Sequence, residues 1–396
     1  MATAVLDIEV TKLPPELTGL EHFHQALILI RLRGRPVGQA LLNVVDGRIG
    51  TFELHDAVKN DADGTLLEQW IRDFLKWDEK RMVNSALPTV TVAVCTRNRP
   101  EALQRCLDAL MKLPDIGQEL LVVDNCPSDD EAFHIVKRHS RVRYVCEDRP
   151  GLNIARNRAL REARQEIVAF TDEGAIPDPS WLNALVSNFD EPSVLCVTGL
   201  TMPLELETEA QEWFERYNSF GRCFRRTVLA IPGANPMAAG RFGAGTNMAL
   251  RRSVLEQIGP FDEALDAGTP TRSGGDADMF SRILTAGYKI IYDPSALNWY
   301  RNRKTREALR QALYDHGVGV ASCWTRHLLK GEWGVLKVAW NWLFSYRLKA
   351  IARSALRRSN SIPLDLLSAE LRGCAIGPWA YCYSRILSRE RTKDHD

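Results

Sequence analysis

In the stretch "FTDEGAIPDPSW", residues 170–181, an apolar run ends on two adjacent carboxylates, Asp172 and Glu173, with Gly174 directly after them. Like charges at that spacing repel, and each must stay solvated or meet a cation. One reading is a turn, for which Asp and Gly are ordinary residues. The other is a site for a nucleotide and a divalent ion, Mg2+ or Mn2+, since hard cations prefer carboxylate and phosphate oxygen.

The surrounding elements favour a site. "TVTVAVCT", "ELLVVDN", "RVRYVCE" and "EIVAF" read as buried strands. Between them "PEALQRCLDALMKL", with Pro at its start, "DDEAFHIVKRH", with acids at its start, and "NIARNRALREAR" read as helices. Strands alternating with helices predict an α/β fold, a mainly parallel, Rossmann-like sheet with helices on both faces. In such sheets ligands bind at the carboxyl ends of the strands. The polar groups expected there are Thr96 to Arg99, Asp124 with Asn125, and Asp172 with Glu173. Three strand ends then share one rim.

Before this region, "QALILIRLRGRPVGQALLNVVDGRIGTFEL" carries short β-type runs broken by "GRP" and "DGR", which predicts a small antiparallel sheet. "GTLLEQWIRDFLKW" has helical spacing, and "NSALP" reads as a linker. The expected organisation is a small β-rich domain over 1–85, the α/β domain over 86–305 and a helical region over 306–396. Of the 396 residues 45% are hydrophobic and 26% charged, the balance of a soluble globular protein, and a net charge of +1 gives no basis for nucleic-acid binding. Nine Cys stand singly, without C-x-x-C or a His/Cys cluster, so neither a zinc site nor a disulfide framework is expected. The first residues lack the pattern of a signal peptide and no run of 18 apolar residues occurs, so a cytoplasmic protein is expected.

From Thr89 to Arg303 the chain resembles the family 2 glycosyltransferases, whose GT-A fold joins a Rossmann-like sheet to an acceptor-binding half. Seven motifs in family order carry the resemblance: "VAVCTRNRPEAL", "LLVVDNCPSDD", "RPGLNIARNRAL", "FTDEGAIPDPSWL", "FGAGTNMALRR", "IGPFDEAL" and "GGDADMFSRILTAGYKIIYDP". The resemblance implies inverting transfer of a sugar from a nucleoside diphosphate donor, UDP-linked or similar, to a glycan, lipid-linked or small-molecule acceptor. Thr96 and Arg99 would lie near the nucleotide, and Asp124 would accept a hydrogen bond from the base; its other reading is a turn-forming Asp. Arg156 would hold the nucleotide or be a solvated helix Arg. Asp172 would bind ribose or metal and Glu173 the metal. Asp276 would be the general base, Asp278 the reserve, and helix capping is the alternative role for Asp276. Gly245 and Asn247 would line the acceptor side, or form a plain turn.

Four positions depart from the family's pattern. Gly174 replaces a third acid, Gly275 replaces the Glu of a Glu-Asp pair, and Tyr300 and Asn302 stand where His is common. Arg301 and Arg303 could neutralise phosphate there instead. These departures motivate a rival, a sugar-nucleotide or glycan-binding protein without catalysis. A second rival, a sugar nucleotidyltransferase, needs a Gly-rich first loop, and "CTRNRPEAL" has no Gly. From Glu332 to Arg358 aromatic and basic residues alternate, as in a helix lying on a membrane or as in one packed on the core with its bases exposed. The Gln-x-x-Arg-Trp motif and transmembrane helices of processive members are absent, so a non-processive enzyme is expected.

Overall fold

The computed structural model describes residues 2–75, 87–218, 223–241, 243–356 and 362–393. At the centre lies a sheet with strand order β10-β12-β9-β11-β7-β4-β5-β6, with β8 paired to β12. Its ranges are β4 Val90–Thr96, β5 Glu119–Asn125, β6 Val142–Glu147, β7 Ile167–Thr171, β8 Ala175–Pro177, β9 Val194–Pro203, β10 Thr227–Leu229, β11 Asn247–Arg251 and β12 Lys289–Tyr300. β6, β5, β4 and β7 run parallel, and β11 is antiparallel to both β7 and β9. All seven residues of β4 are buried, as a strand covered on both faces requires. Its alternate residues feed two cores: Val90, Val92 and Val94 meet Leu103 and Leu107, whereas Ala93 and Cys95 meet Ala155 and Ala159. The helices contributing these are α2 (Pro100–Leu110) and α4 (Leu152–Glu162), one on each face. The chain steps outward from β4 to β6 and then crosses back to β7. The switch point between β4 and β7 is where a crevice opens at the carboxyl ends.

The N-terminal unit differs from expectation. β2 (Phe23–Leu32) and β3 (Arg35–Asn43) form a hairpin whose turn residues Arg33 and Gly34 both have positive φ, but β1 (Ala2–Glu9) joins β2 in parallel. The sheet is therefore mixed, and a crossing of residues 10–22 takes the place of a second hairpin. The helix also begins earlier than its apolar spacing suggests: α1 spans Thr51–Phe74. One face of β2 packs Leu27 and Leu29 on Leu200, Met202 and Leu297 of the large sheet. Arg31, nearly buried, ties the two units by pairing with Asp7 and Asp178, each at 2.7 Å.

Beyond β12 the chain is helical: α9 (Arg306–Leu329), α10 (Gly334–Asn341), a π turn (Trp342–Arg347), α11 (Leu348–Ala355) and α12 (Leu364–Lys393). α9 and α12 approach closely, because a Cβ on Gly317 or Gly373 would run into backbone of the other helix. α9 also braces α8 (Gly275–Thr285), which starts with the "GDAD" residues. Asp278 is wholly buried and pairs with Arg326 of α9 at 2.5 Å and with Arg282 at 2.9 Å. Arg326 also reaches Asp262 at 2.8 Å.

Removing one partner of such a pair strands a buried charge. Arg326→Met is therefore expected to lower stability by about 3–5 kcal/mol, read as a fall in the urea midpoint. A loss below about 1 kcal/mol, the range of an exposed pair, would show that α8 is braced by packing alone.

Candidate active site

Three strand ends meet at the crevice. Thr96 closes β4, Asp124 is the last residue but one of β5 and Thr171 closes β7, all buried. The Thr96 and Thr171 hydroxyls and Oδ1 of Asp124 have no hydrogen-bond partner in the protein. Buried polar groups are nearly always satisfied, so three orphans on one rim point to a ligand that completes them. Asp124 Oδ2 accepts from the Tyr144 hydroxyl at 2.9 Å. Burial pushes its carboxyl up, against the pull of that hydrogen bond.

Asp172 and Glu173 follow β7 in a tight turn to β8, closed by the Ala175 N–H to the Asp172 carbonyl. Burial, then the neighbouring Glu173 charge, push Asp172 up to about 7, although Arg156 and Arg99 pull the other way. Burial also raises Glu173, opposed by Arg99, whose guanidinium lies 3.1 Å from it. Arg99 thus sits at the rim, against Glu173. Two carboxylates that resist ionisation together are a fitting donor set for a divalent cation. The third acid is missing for a steric reason: a Cβ on Gly174 would meet the Tyr300 ring at 3.2–3.5 Å. Tyr300 fills that space, so the two departures at 174 and 300 are one.

The cation of the site is Arg156. It lies on α4 within the sheet-side core, not in solvent, with Nη1 2.8 Å from Asp266 and 3.2 Å from Asn153 Oδ1, and its guanidinium 5.6 Å from the Phe261 ring. Burial works against its charge, but Asp266, Asp276 and Asp172 outweigh burial and hold its pKa above the usual value. The reading of Arg156 as a solvated Arg is overturned.

Asp266 was not foreseen. It sits in a loop with φ +84°, an unusual conformation for a side-chain-bearing residue, and its backbone N–H is held by Thr271. Burial pushes its carboxyl up, with Arg156 opposing. Asn157 fixes the same loop through both backbone groups of Phe261, and Asn153 does so through the Asp262 carbonyl. Only an Asp two residues before a loop Gly marks the position in sequence. Gly275 explains why Asp266 can be there: a Cβ on Gly275 would lie 2.6 Å from Asp266 Oδ2 and collide with Asn153. The carboxylate that the family's Glu would add from α8 arrives here from the loop.

Asp276 is half-buried and aims at the same place. Oδ2 accepts from the Gly245 N–H and Oδ1 from the Ala277 N–H, each at 2.8 Å. The helix N-cap is Gly274, so Asp276 is not the capping residue. Gly245 is part of the site, since a side chain there would run into Arg156. Two expected residues are not. Asp278, two positions on, points away from Asp276 into the α9 contact and cannot serve as reserve base. Asn247 is fully buried: its amide donates to the carbonyls of Leu200 and Ala296 and accepts from Trp181 Nε1, so nothing is left for an acceptor. Phe242, which opens that motif, lies outside the described residues. Arg301 is taken by Glu205 at 3.3 Å, whereas Arg303 is exposed near Tyr300.

Residues 91–259 match the model of the glycosyl transferase family 2. Residues 91–259 are thus identified as a family 2 glycosyltransferase domain. It is 27% identical over 252 residues to glycosyltransferase AglE of Haloferax volcanii, covering 61% of this chain and 76% of that protein. It is 27% identical over 244 residues to the pre-mycofactocin glycosyltransferase of Mycobacterium tuberculosis, covering 60% of this chain and 48% of that one. Mannosyltransferase PcManGT from Pyrobaculum calidifontis, solved with GDP-Man and Mn2+, shares 20% identity, with 79% of this chain and 80% of that one covered at a TM-score of 0.45. The glycosyltransferase domain thus includes the crevice, but the match ends before Asp266 and Asp276.

Two expectations follow from the geometry. Gly275→Ala must displace Asp266 or Asn153 and is expected to cost about 1–3 kcal/mol, as overpacking does, whereas Gly174→Ala meets only a ring edge and should cost less. Paired thermal melts compare them, and equal losses would disprove the crowding at 275. Asp172 is raised from the unfolded carboxylate value to about 7, so the folded protein holds a proton that the unfolded chain releases. That penalty grows as pH rises towards 7 and is complete above it. Asp172→Asn should therefore raise the melting temperature of metal-free protein more at pH 8 than at pH 5.5; a gain that shrinks with pH would refute the assignment.

Proposed function

We propose that this glycosyltransferase moves a sugar from a nucleoside diphosphate donor to an acceptor hydroxyl with inversion at the anomeric carbon, with Asp276 as general base. The observation that carries the reading is the convergence of Asp172, Asp266 and Asp276 on one buried Arg156, beside three unsatisfied polar atoms at the sheet's switch point.

The free Oδ1 of Asp124 suits an N–H donor on a base such as uracil, and the Thr96 hydroxyl adds a second polar contact. Arg99 and Arg303 are the exposed cations that can meet diphosphate oxygens. Asp172 and Glu173 would hold Mg2+ or Mn2+, which when bound offsets the charge of the departing diphosphate. Asp276 is held by two backbone N–H groups, which fix the carboxylate while leaving lone pairs on both oxygens. The acceptor hydroxyl gives its proton to Asp276 as its oxygen attacks the anomeric carbon. The bond from that carbon to the diphosphate oxygen breaks, and the nucleoside diphosphate leaves. Attack from the opposite face converts an α-linked donor into a β product. Asp266 does not touch the acceptor in this scheme; it holds Arg156, and Arg156 holds the electrostatic balance of the other two acids. With Tyr300 and Asp266 filling the spaces left by the missing acids, the departures that favoured a binding-only protein have a structural account. The acceptor, whether glycan, lipid-linked or small molecule, is a hydroxyl-bearing compound.

Nucleotide release from a panel of sugar nucleotides tests the proposal, in Mn2+, Mg2+ or EDTA, because water can replace the acceptor slowly. Release from one donor is expected, with EDTA suppressing it and Asp276→Asn lowering it by about 10²–10⁴-fold. Release that Asp276→Asn leaves at the wild-type rate would remove Asp276 from the base role.

A further inference from the structure

The helical region offers a surface that glycosyl transfer does not use. Among the described residues, no helix is long and apolar enough to cross a membrane. Yet from Leu329 to Leu348 large apolar side chains face outward. Trp333 is 68% exposed, Trp340 63% and Phe344 40%, with Leu329, Leu336 and Leu348 beside them. These three aromatic side chains are turned away from the core. Trp340 and Phe344 stack on each other at 3.9 Å, which adds to one continuous outward ridge.

The opposite side of the same segment is anchored. Val335 is buried, Trp342 packs edge-on to Trp324, and Arg347 pairs with the buried Glu370 at 2.8 Å. Glu370 also accepts from Tyr217 and lies 3.2 Å from His316. In an uninterrupted α-helix Arg347, seven residues after Trp340, would share the outward face with Trp340 and Phe344. The π turn over Trp342–Arg347 shifts the register, so that Arg347 turns inward while Phe344 and Leu348 stay outside. The segment is thus fixed with its apolar ridge pointing to solvent.

Charge identifies the partner. From Trp333 to Arg358 the sequence has six Lys or Arg and no Asp or Glu, in a chain whose net charge is only +1. Lys330, Lys337, Lys349 and Arg353 are exposed and flank the ridge. Apolar and aromatic residues on one side with bases around them match a bilayer interface, where aromatic rings sit at headgroup level and cations meet anionic lipid. We infer that the segment Trp333–Ala355 docks this protein peripherally on an anionic lipid surface, through a ridge of Trp333, Leu336, Trp340, Phe344 and Leu348. This goes beyond the proposed transfer reaction and does not depend on it.

Co-sedimentation of the full chain with vesicles tests this, using equal parts phosphatidylglycerol and phosphatidylcholine in one arm and phosphatidylcholine alone in the other. Binding to the mixed vesicles is expected, weak binding to the neutral ones, and release as salt screens the charges. Trp340→Ser with Phe344→Ser should weaken binding by about tenfold or more, given the apolar area removed, with circular dichroism and nucleotide release unchanged. Lys337→Glu with Lys349→Glu should abolish the preference for the anionic arm. No sedimentation with the mixed vesicles, or equal binding by the Ser variant, would overturn the inference. So would a dimer in sedimentation velocity that the Ser variant dissolves while wild type ignores vesicles, since the ridge would then join two copies of the chain.

Discussion

A single buried guanidinium organises the crevice. Arg156 is 4% exposed and stands among Asp266, Asp276 and Asp172. Three carboxylates in a space of low polarity would repel one another strongly, and an unpaired Arg in the same place would carry a large desolvation cost. Each makes the other tolerable. The glycines around them follow from this pairing, because Gly245 leaves room for the guanidinium and Gly275 for Asp266. The two α4 asparagines follow as well, since they hold the loop that brings Asp266 to Arg156. The positive charge stays inside the site whether or not a metal is bound.

The site keeps a group in each place where the family's pattern suggests one, but draws it from other parts of the chain. Tyr300 comes from the last strand to occupy the volume beside Gly174, and Asp266 comes from a loop to occupy the volume beside Gly275. The substitutions differ in effect. At 174 an acid is exchanged for a phenol whose pKa is pushed far up by burial and by Asp172, so it contributes no negative charge. At 275 the carboxylate is retained and only its origin changes. The two ends of the site carry equal numbers of acids, Asp172 with Glu173 beside Gly174 and Asp266 with Asp276 beside Gly275.

The parts of this arrangement that were legible in sequence are those fixed by periodicity. The strands β4, β5, β6 and β7, their shared rim, and the polar residues at their ends follow from apolar runs alternating with helical spacing. What sequence could not decide was direction. Asp276 is the first candidate on paper and Asp278 the reserve, and only the packing of α9 against α8 shows that Asp278 is turned towards Arg326. Asn247 looks like a polar residue in a Gly-rich turn, but it is the first residue of a buried strand and its amide is consumed by neighbouring strands. The parallel pairing of β1 with β2 was missed because turn signals show where a chain reverses and not which strand it then joins. Asp266 was invisible for a related reason: a loop carboxylate has no period, and its role depends on a contact with a residue 110 positions earlier.

The two faces of α8 explain why the helical region belongs to the site's structure although it contributes no group to the crevice. Residues two apart on a helix point in nearly opposite directions. Asp276 therefore reaches Gly245 at the crevice while Asp278 reaches backwards to Arg326. Arg326 grips Asp262 too, and Asp262 lies four residues before Asp266 in the loop that neutralises Arg156. Tyr381 of α12 donates to the same Asp262 carboxylate at 2.9 Å. Helix α8 and the Asp266 loop are thus fastened to one α9 side chain. In the proposed reaction the general base must sit within hydrogen-bond reach of the proton it removes, and the buried ion pair on the far side of α8 would help hold Asp276 in that position.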